Sequence, residues 1–448
     1  MWSRFVRPRK MICRMAASPL TINSSIVLPV DINTDNQSKP ASTGKLDRFV
    51  RGLVHRGEPL FTVNQPSDQQ IRVLVVYGTR PEAIKMAAVV AALRARAERF
   101  EPIICTTAQH RELIDQVQEL FDLAPDLDLN LMTPDQSLNG LSARVITALD
   151  EVLERVRPDW LLVQGDTTTA MGAALAAFHH RIPVGHVEAG LRTGDLTRPF
   201  PEEANRRLID IVAKALFAPT ARARDALLAE GADPRRLFLT GNTVVDALQS
   251  VATTLGDVSR NDEVLVTVHR RESFGEPIRQ ICLAVARLAE RFPQLRWIYP
   301  VHHNPHVRDP ARAILERIPN VELHDPVDYP DLLRYLKRAR IVLTDSGGIQ
   351  EEAPAFGTPV LVLREKTERP EGIEAGVARL IGVEPEAIIT AVTEVLTDNA
   401  VYESMATATN PYGDGHAAAR IAAVLAGERF EPFEATTIPN MNLARVAG

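Results

Sequence analysis

Two doubly wound α/β domains in tandem are the fold class this sequence predicts, and three observations predict it. The chain has 448 residues, 45% of them hydrophobic, which is more than one ordinary core accommodates; two domains of about 150 to 200 residues are the natural division. Short runs rich in Val, Ile and Leu alternate with longer helical patterns, and those runs are nearly continuous in apolar residues, as strands covered on both faces of a parallel sheet are. The cycle then repeats in the second half of the chain, as a second domain of the same kind requires.

Residues 1–70 stand apart by charge. Arg4, Arg7, Arg9, Lys10 and Arg14 precede the first acidic residue, Asp31, without an apolar core for secretion, so a disordered basic extension, akin in composition to a transit peptide, is expected. The first domain is expected over residues 71–245, with strands in IRVLVVYG, EPIICTT, DWLLVQGD, IPVGHVEAG, ALFAPT and LFLTG. GNTVVDALQSVATTL reads as a helix, and the GDVSRNDE that follows it is the most linker-like internal segment. The second domain, 246–412, carries EVLVTVH, LRWIYPVH, NVELHDP, RIVLTDS, TPVLVLR and ARLIG. NPYGDG makes a turn before a helix over 415–427 that is expected to pack back on the first domain, and 431–448 is expected to be a loose tail.

Composition excludes several functions. The first 60 residues hold ten Lys or Arg against four Asp or Glu, net +6, so the remainder carries −12 of the chain's −6. An acidic body argues against nucleic acid as a partner. Cys13, Cys105 and Cys282 form no CxxC pair, so neither a disulfide framework nor a zinc site is expected, in keeping with a reducing cytoplasm. No run approaches the roughly 18 apolar residues a membrane span needs.

Polar residues gather where such a sheet binds ligands, beyond the carboxyl ends of its strands. In TDSGGIQEEAP, a strand ends at Asp345 and a helix opens at Ser346, Gly347 and Gly348. Ser346 is placed to cap, and the two glycines let backbone N–H groups approach a diphosphate that the helix dipole also favours. Glu351 and Glu352 follow inside the helix; Glu352 is placed to accept from ribose hydroxyls, and Pro354 should end or kink the helix. Arg80 and Lys85 flank the turn in GTRPEAIK, facing the anion site across a cleft or pairing with Glu82 on the surface. GxGxxG and Walker motifs are missing, which disfavours nicotinamide chemistry and ATP hydrolysis. Asp166, Glu188 and Glu202 stand in loops as candidate acid and base, although Asp166 is equally placed to cap the helix near Thr168. His269 and His302 each close a strand, His269 beside two arginines, and no metal-ligand cluster is evident.

At these residues the sequence resembles the non-hydrolysing UDP-N-acetylglucosamine 2-epimerases. GTRPEAIK, TAQHRE, GDTTT, PVGHVEAGLRTGD, PEEANR, GNTVVDAL, HRRESFG, YPVH, TDSGGIQEEAP and NPYGDG match that family's signatures in order, from about Val73 to Leu425. The resemblance implies a GT-B architecture, two Rossmann-like domains facing a central cleft, in a homodimeric cytoplasmic enzyme that interconverts UDP-GlcNAc and UDP-ManNAc without nicotinamide or metal. Arg80, Lys85, Ser346, Gly347, Gly348, Glu352 and Arg369 would hold the nucleotide sugar, with Asp166, Glu188, Glu202 and His269 around the sugar. Gln109, Arg144, Arg270 and His302 match positions implicated in binding a second UDP-GlcNAc as activator. Gln164 departs from the histidine of many relatives, and Thr197 and Arg198 replace a Tyr and a small residue. A hydrolysing relative, or one acting on a UDP-diacetamido uronic acid, is the alternative reading.

Overall fold

The computed structural model describes residues 70–107, 111–131, 133, 136–252, 255–256, 260 and 262–435. The extension expected over 1–70 therefore lies outside the described residues except for Gln70, as do residues 436–448 of the expected tail.

In the first lobe, β1 (Ile71–Tyr77), β2 (Phe100–Thr106), β3 (Leu127–Asp128), β4 (Trp160–Gln164), β5 (Val184–Val187), β6 (Ala215–Ala218) and β7 (Leu237–Leu239) form one sheet in the order β3-β2-β1-β4-β5-β6-β7. In the second, β8 (Glu263–Thr267), β9 (Arg296–Pro300), β10 (Val321–His324), β11 (Ile341–Thr344), β12 (Val360–Val362) and β13 (Ala378–Leu380) run β10-β9-β8-β11-β12-β13. Every pairing is parallel. The continuous apolar runs are explained by burial on both faces: each residue of β4, β6 and β11 is buried. The sequence reading lacks only β3, whose two residues are too few to show a pattern.

Chain order reverses between β1 and β4 in the first sheet and between β8 and β11 in the second. Loops diverge at such points and leave a crevice at the strands' carboxyl ends. The helix that follows β1 opens at Arg80, the loop after β4 carries Asp166, and the loops after β8 and β11 carry His269 and Ser346.

The helix Gly347–Glu352 passes into a 3₁₀ turn, Ala353–Phe356, that contains Pro354, which has no N–H for a further helical bond. The helix Thr243–Ala252 leads from the first lobe to the second, and the helix Ala417–Leu425 comes back. Buried Ala418, Ile421, Ala422 and Leu425 of the returning helix share a core with Ile84, Met86 and Val90 of the first lobe. Asp246 accepts from the N–H groups of Ala417 (3.3 Å) and Ala418 (2.9 Å), and burial pushes its carboxyl up to about 6. The body continues past the expected boundary at 431, because Phe433 is buried and its N–H donates to Leu239 O at 2.9 Å. Among the described residues no helix is long and apolar enough to cross a membrane.

Candidate active site

The first-lobe wall is shaped by carboxylates that are themselves pinned. Glu82 is buried and forms no surface pair with Arg80 or Lys85; it accepts from Thr79 N (2.7 Å), Thr79 Oγ1 (2.7 Å), Gly78 N (3.1 Å) and Thr167 Oγ1 (2.7 Å). It thereby ties the loop after β1 to the loop after β4. Thr167, not Asp166, caps the helix Thr168–His179, accepting from Ala170 N at 3.0 Å. Asp166 is left to pair with Arg206 Nη2. Two adjacent glutamates divide the next task. Glu203 is fully buried and holds the loop before it by accepting from Thr193 N (3.1 Å) and Gly194 N (3.3 Å). Glu202 stays half-buried at the cleft, where burial and the Asp166 charge raise its pKa against the pull of Arg270 and Arg206.

The second-lobe wall is organised by Asp345, whose carboxylate is fully buried. It accepts from His269 N (3.1 Å), Arg270 N (2.9 Å) and Ser273 Oγ (2.8 Å), so the first residue after β11 fixes the HRRES loop. The His269 ring lies over that of His302, centroids 6.3 Å apart. Desolvation in the cleft walls lowers the His269 pKa, and Arg270, His302 and Arg80 add to this against Asp345. Arg80 comes from the first lobe and faces Glu352 and Tyr329. Glu352 is buried and accepts from Tyr329 Oη at 3.3 Å.

Ser346 does not cap as the sequence suggests: its side chain makes no capping bond, and its N–H donates to Thr344 Oγ1 at 2.9 Å. Gly347 is needed for packing, since a Cβ there would lie 2.6 Å from Arg369 Nη1. Gly348 is open, with no atom closer than 4.0 Å to where its Cβ would be.

Between the walls lies a buried ionic cluster. Lys85 Nζ is 2.7 Å from both oxygens of Glu188 and 3.0 Å from Glu351 Oε2. Arg369 donates through Nε to Glu351 (2.6 Å) and through Nη2 to Glu188 (3.4 Å), and Nη1 pairs with Glu368. Glu188 also accepts from Asn242 Nδ2 (3.1 Å) and from Gln164 Nε2. Burial alone would raise the Glu188 carboxyl, but Lys85 and Arg369 outweigh it and hold the group well below the usual carboxylate range. Its backbone adopts φ +67°, an uncommon conformation for a residue with a side chain and one that clusters at functional sites.

The structure thus brings Arg80, Lys85, Asp166, Glu188, Glu202, His269, Arg270, His302, Ser346, Gly347, Gly348, Glu352 and Arg369 to the crevice and its floor. Lys85 and Arg369, read as cations for the nucleotide, are spent on buried carboxylates. Arg144 is engaged on its own lobe, donating through Nε to Leu131 O at 3.2 Å and pairing with Gln136, and Gln109 lies outside the described residues. Sequence reasoning gave no role to Asp345, Glu351, Asn242 or Glu368. A strand-terminal aspartate and the Asn of GNT were the available signals; nothing in the sequence distinguishes Glu351 from the Glu352 beside it.

A family model described as UDP-N-acetylglucosamine 2-epimerase matches residues 91–426. The chain is 50% identical over 366 residues to the UDP-N-acetylglucosamine 2-epimerase of Yersinia pestis, covering 78% of this chain and 97% of that one. It is 48% identical over 374 residues to the Escherichia coli K12 enzyme of the same name, covering 80% and 99%. Among solved structures, the UDP-GlcNAc 2-epimerase of Neisseria meningitidis bound to UDP-GlcNAc superposes with a TM-score of 0.76 at 44% identity, covering 79% of this chain and 99% of that one. The two Rossmann-like lobes are accordingly of the GT-B kind. On the length of the family match and the identity to these relatives, the chain belongs to the UDP-N-acetylglucosamine 2-epimerase family.

Proposed function

We propose that this chain interconverts UDP-GlcNAc and UDP-ManNAc by inverting carbon 2, without releasing the free sugar. The observation that carries the reading is the convergence on one crevice of Asp166 and Glu202 from the first lobe with His269 and Ser346 to Gly348 from the second, in a chain half identical to proteins named as this epimerase.

The hydrogen on carbon 2 is not next to a carbonyl, so the anomeric C–O bond must loosen first. Its electron pair leaves with UDP, the ring takes on oxocarbenium character, and a carboxylate can then remove the carbon 2 proton to give 2-acetamidoglucal. Protonation from the other face and return of UDP complete the cycle, which has no net redox change. The Ser346 hydroxyl and the amides of Gly347 and Gly348 suit the departing diphosphate, aided by Arg80 and a His269 whose lowered pKa keeps it a neutral hydrogen-bonding group near pH 7. Glu202, whose pKa is raised by burial and by the Asp166 charge, is the carboxyl better fitted to act as the acid. Asp166, ion-paired with Arg206, is its counterpart. Glu188, ringed by donors, supplies fixed negative charge under the developing cation.

Arg270 and His302, beside His269, would receive the second UDP-GlcNAc as activator. A homodimer is supported by exposed Phe178, Leu208 and Ile211 on two adjacent helices of the first lobe. Turnover would take place in the cytoplasm, on UDP-sugars made there.

Incubation with UDP-GlcNAc in deuterated water should place deuterium at carbon 2 of both UDP-sugars. Free UDP rising in step with turnover would instead mark a hydrolase, and a folded sample with no exchange would sink the reading.

A further inference from the structure

We propose that Arg206 is a positioning residue of this site: its guanidinium aims the Asp166 carboxylate at one face of the sugar ring, while the helix it stands on presents Glu202 to the other. This role rests on the epimerase reading and deepens it. Arg206 lies on the helix Glu202–Val212, one turn after Glu202 and therefore on the same side of it. It is buried, and its Nη2 pairs with Asp166 Oδ2. The neighbouring Asn205, also buried, donates through Nδ2 to Asp166 O at 2.9 Å. Side chain and backbone of Asp166 are thus both held by the helix that begins at Glu202, although 40 residues of sequence separate Asp166 from Arg206. One short segment presents one carboxyl and fixes the other.

The guanidinium sits there at a cost that folding alone does not explain. Its Nη1 approaches Glu203 Oε2 at 3.5 Å without a hydrogen bond, and neither Nη1 nor Nε finds an acceptor among the described residues. Buried donors left in this way are destabilising. What the arrangement provides is a bridge, with one arm on Asp166 and the other beside Glu203, whose carboxylate accepts from Thr193 N and Gly194 N in the loop ahead of the helix. A lysine ammonium does not span two carboxylates as this planar fork does. Among the described residues no other cation comes within ion-pair distance of Asp166, and no donor meets its Oδ1. With 27% of the side chain exposed, that oxygen remains available to the sugar. Without Arg206 the carboxylate would turn about its side-chain bonds, and the proton transfer it serves would slow while the one served by Glu202 would not.

Deuterated water separates the two faces. A carboxyl that has taken the carbon 2 proton exchanges it with water and can return a deuteron to the same face, labelling the starting sugar without inverting it. The quantity to measure is the early rate of deuterium entry into the starting sugar divided by the rate of epimerisation, from UDP-GlcNAc and from UDP-ManNAc in turn. In Arg206→Gln this ratio should rise by about fivefold or more from the epimer whose hydrogen faces Glu202 and stay at the wild-type value from the other, while kcat falls by about tenfold or more and KM changes much less. A loss of folded enzyme would instead lower labelling and epimerisation together from either sugar. In an Asp166→Asn background Arg206→Gln should cost no more than about twofold further, because the group it acts through is gone. Should Arg206→Gln fail to fold, Arg206→Lys, which keeps a charge beside Glu203 but lacks the fork, is read by the same ratio. Wild-type ratios from both sugars overturn the proposal, as does an undiminished further loss in the Asp166→Asn background. Wild-type enzyme that places no deuterium at carbon 2 defeats the epimerase reading itself, and this role falls with it.

Discussion

Arg369 spends its guanidinium on three carboxylates, Glu188, Glu351 and Glu368, and does so against the bare Cα of Gly347. The Gly347→Ala variant should push that guanidinium aside at a cost of about 1–3 kcal/mol, as overpacking of a rigid site does. Urea unfolding would read the cost, and kcat/KM should fall with it. Asp345→Asn is the corresponding test on the other wall. The amide keeps the shape but weakens bonds from a charged acceptor, each worth about 1.5–3 kcal/mol, so kcat should drop as the His269 loop loosens. Residue positions at strand ends were legible in the sequence because a parallel sheet puts its loops there. Partners were not legible: which oxygen Lys85 or Arg369 meets depends on how two lobes face each other, and nothing local encodes that.

The contact between β5 and the helix Glu202–Val212 shows an element fixed by one buried histidine. His186 Nδ1 meets Asp210 Oδ1 at 2.6 Å and Nε2 meets Gly165 O at 2.7 Å, while Arg192 reaches Asp210 Oδ2 at 2.7 Å. Both ring nitrogens are thus engaged. Through Gly165 this chain of bonds holds the residue before Asp166 and, through the helix, the start at Glu202. Burial would raise the Asp210 carboxyl, but His186 and Arg192 hold it below its ordinary value. A depressed carboxylate contributes stability above the usual carboxylate range and loses it as pH falls through its folded value. Asp210→Asn should therefore destabilise the protein by about 3–5 kcal/mol near neutrality, the cost of leaving a buried charge unpaired. The variant's urea midpoint should also change less than the wild type's as pH drops below 4. In the sequence PVGHVEAG reads only as a buried strand; period and composition reveal that a histidine is inside, not what it grips.

At the scale of the molecule, one apolar core runs from Val89 and Leu93 of the first lobe through Leu248 and Val251 of the linking helix to Phe356 and Val360 of the second. The lobes are thus joined by a dry hinge and the buried ionic cluster. Rim pairs such as Arg222–Glu374, 49% and 61% exposed, contribute little. Arg222→Ala should move the unfolding free energy by no more than about 1 kcal/mol, the range of exposed ion pairs. The two-domain plan was readable because the strand and helix cycle occurs twice. The return of the chain was signalled by NPYGDG and an alanine-rich helix; Phe433 was not, since a lone aromatic in a polar tail carries no period. That return bears on biosynthesis. A ribosome finishes residues 71–252 long before it makes Ala417 to Phe433, so the first sheet waits, with one flank bare, until that returning segment has been made. Expressed as a fragment, 71–252 should aggregate, and co-expression of 410–435 as a separate peptide should restore its solubility, measurable by the soluble fraction of a split pair.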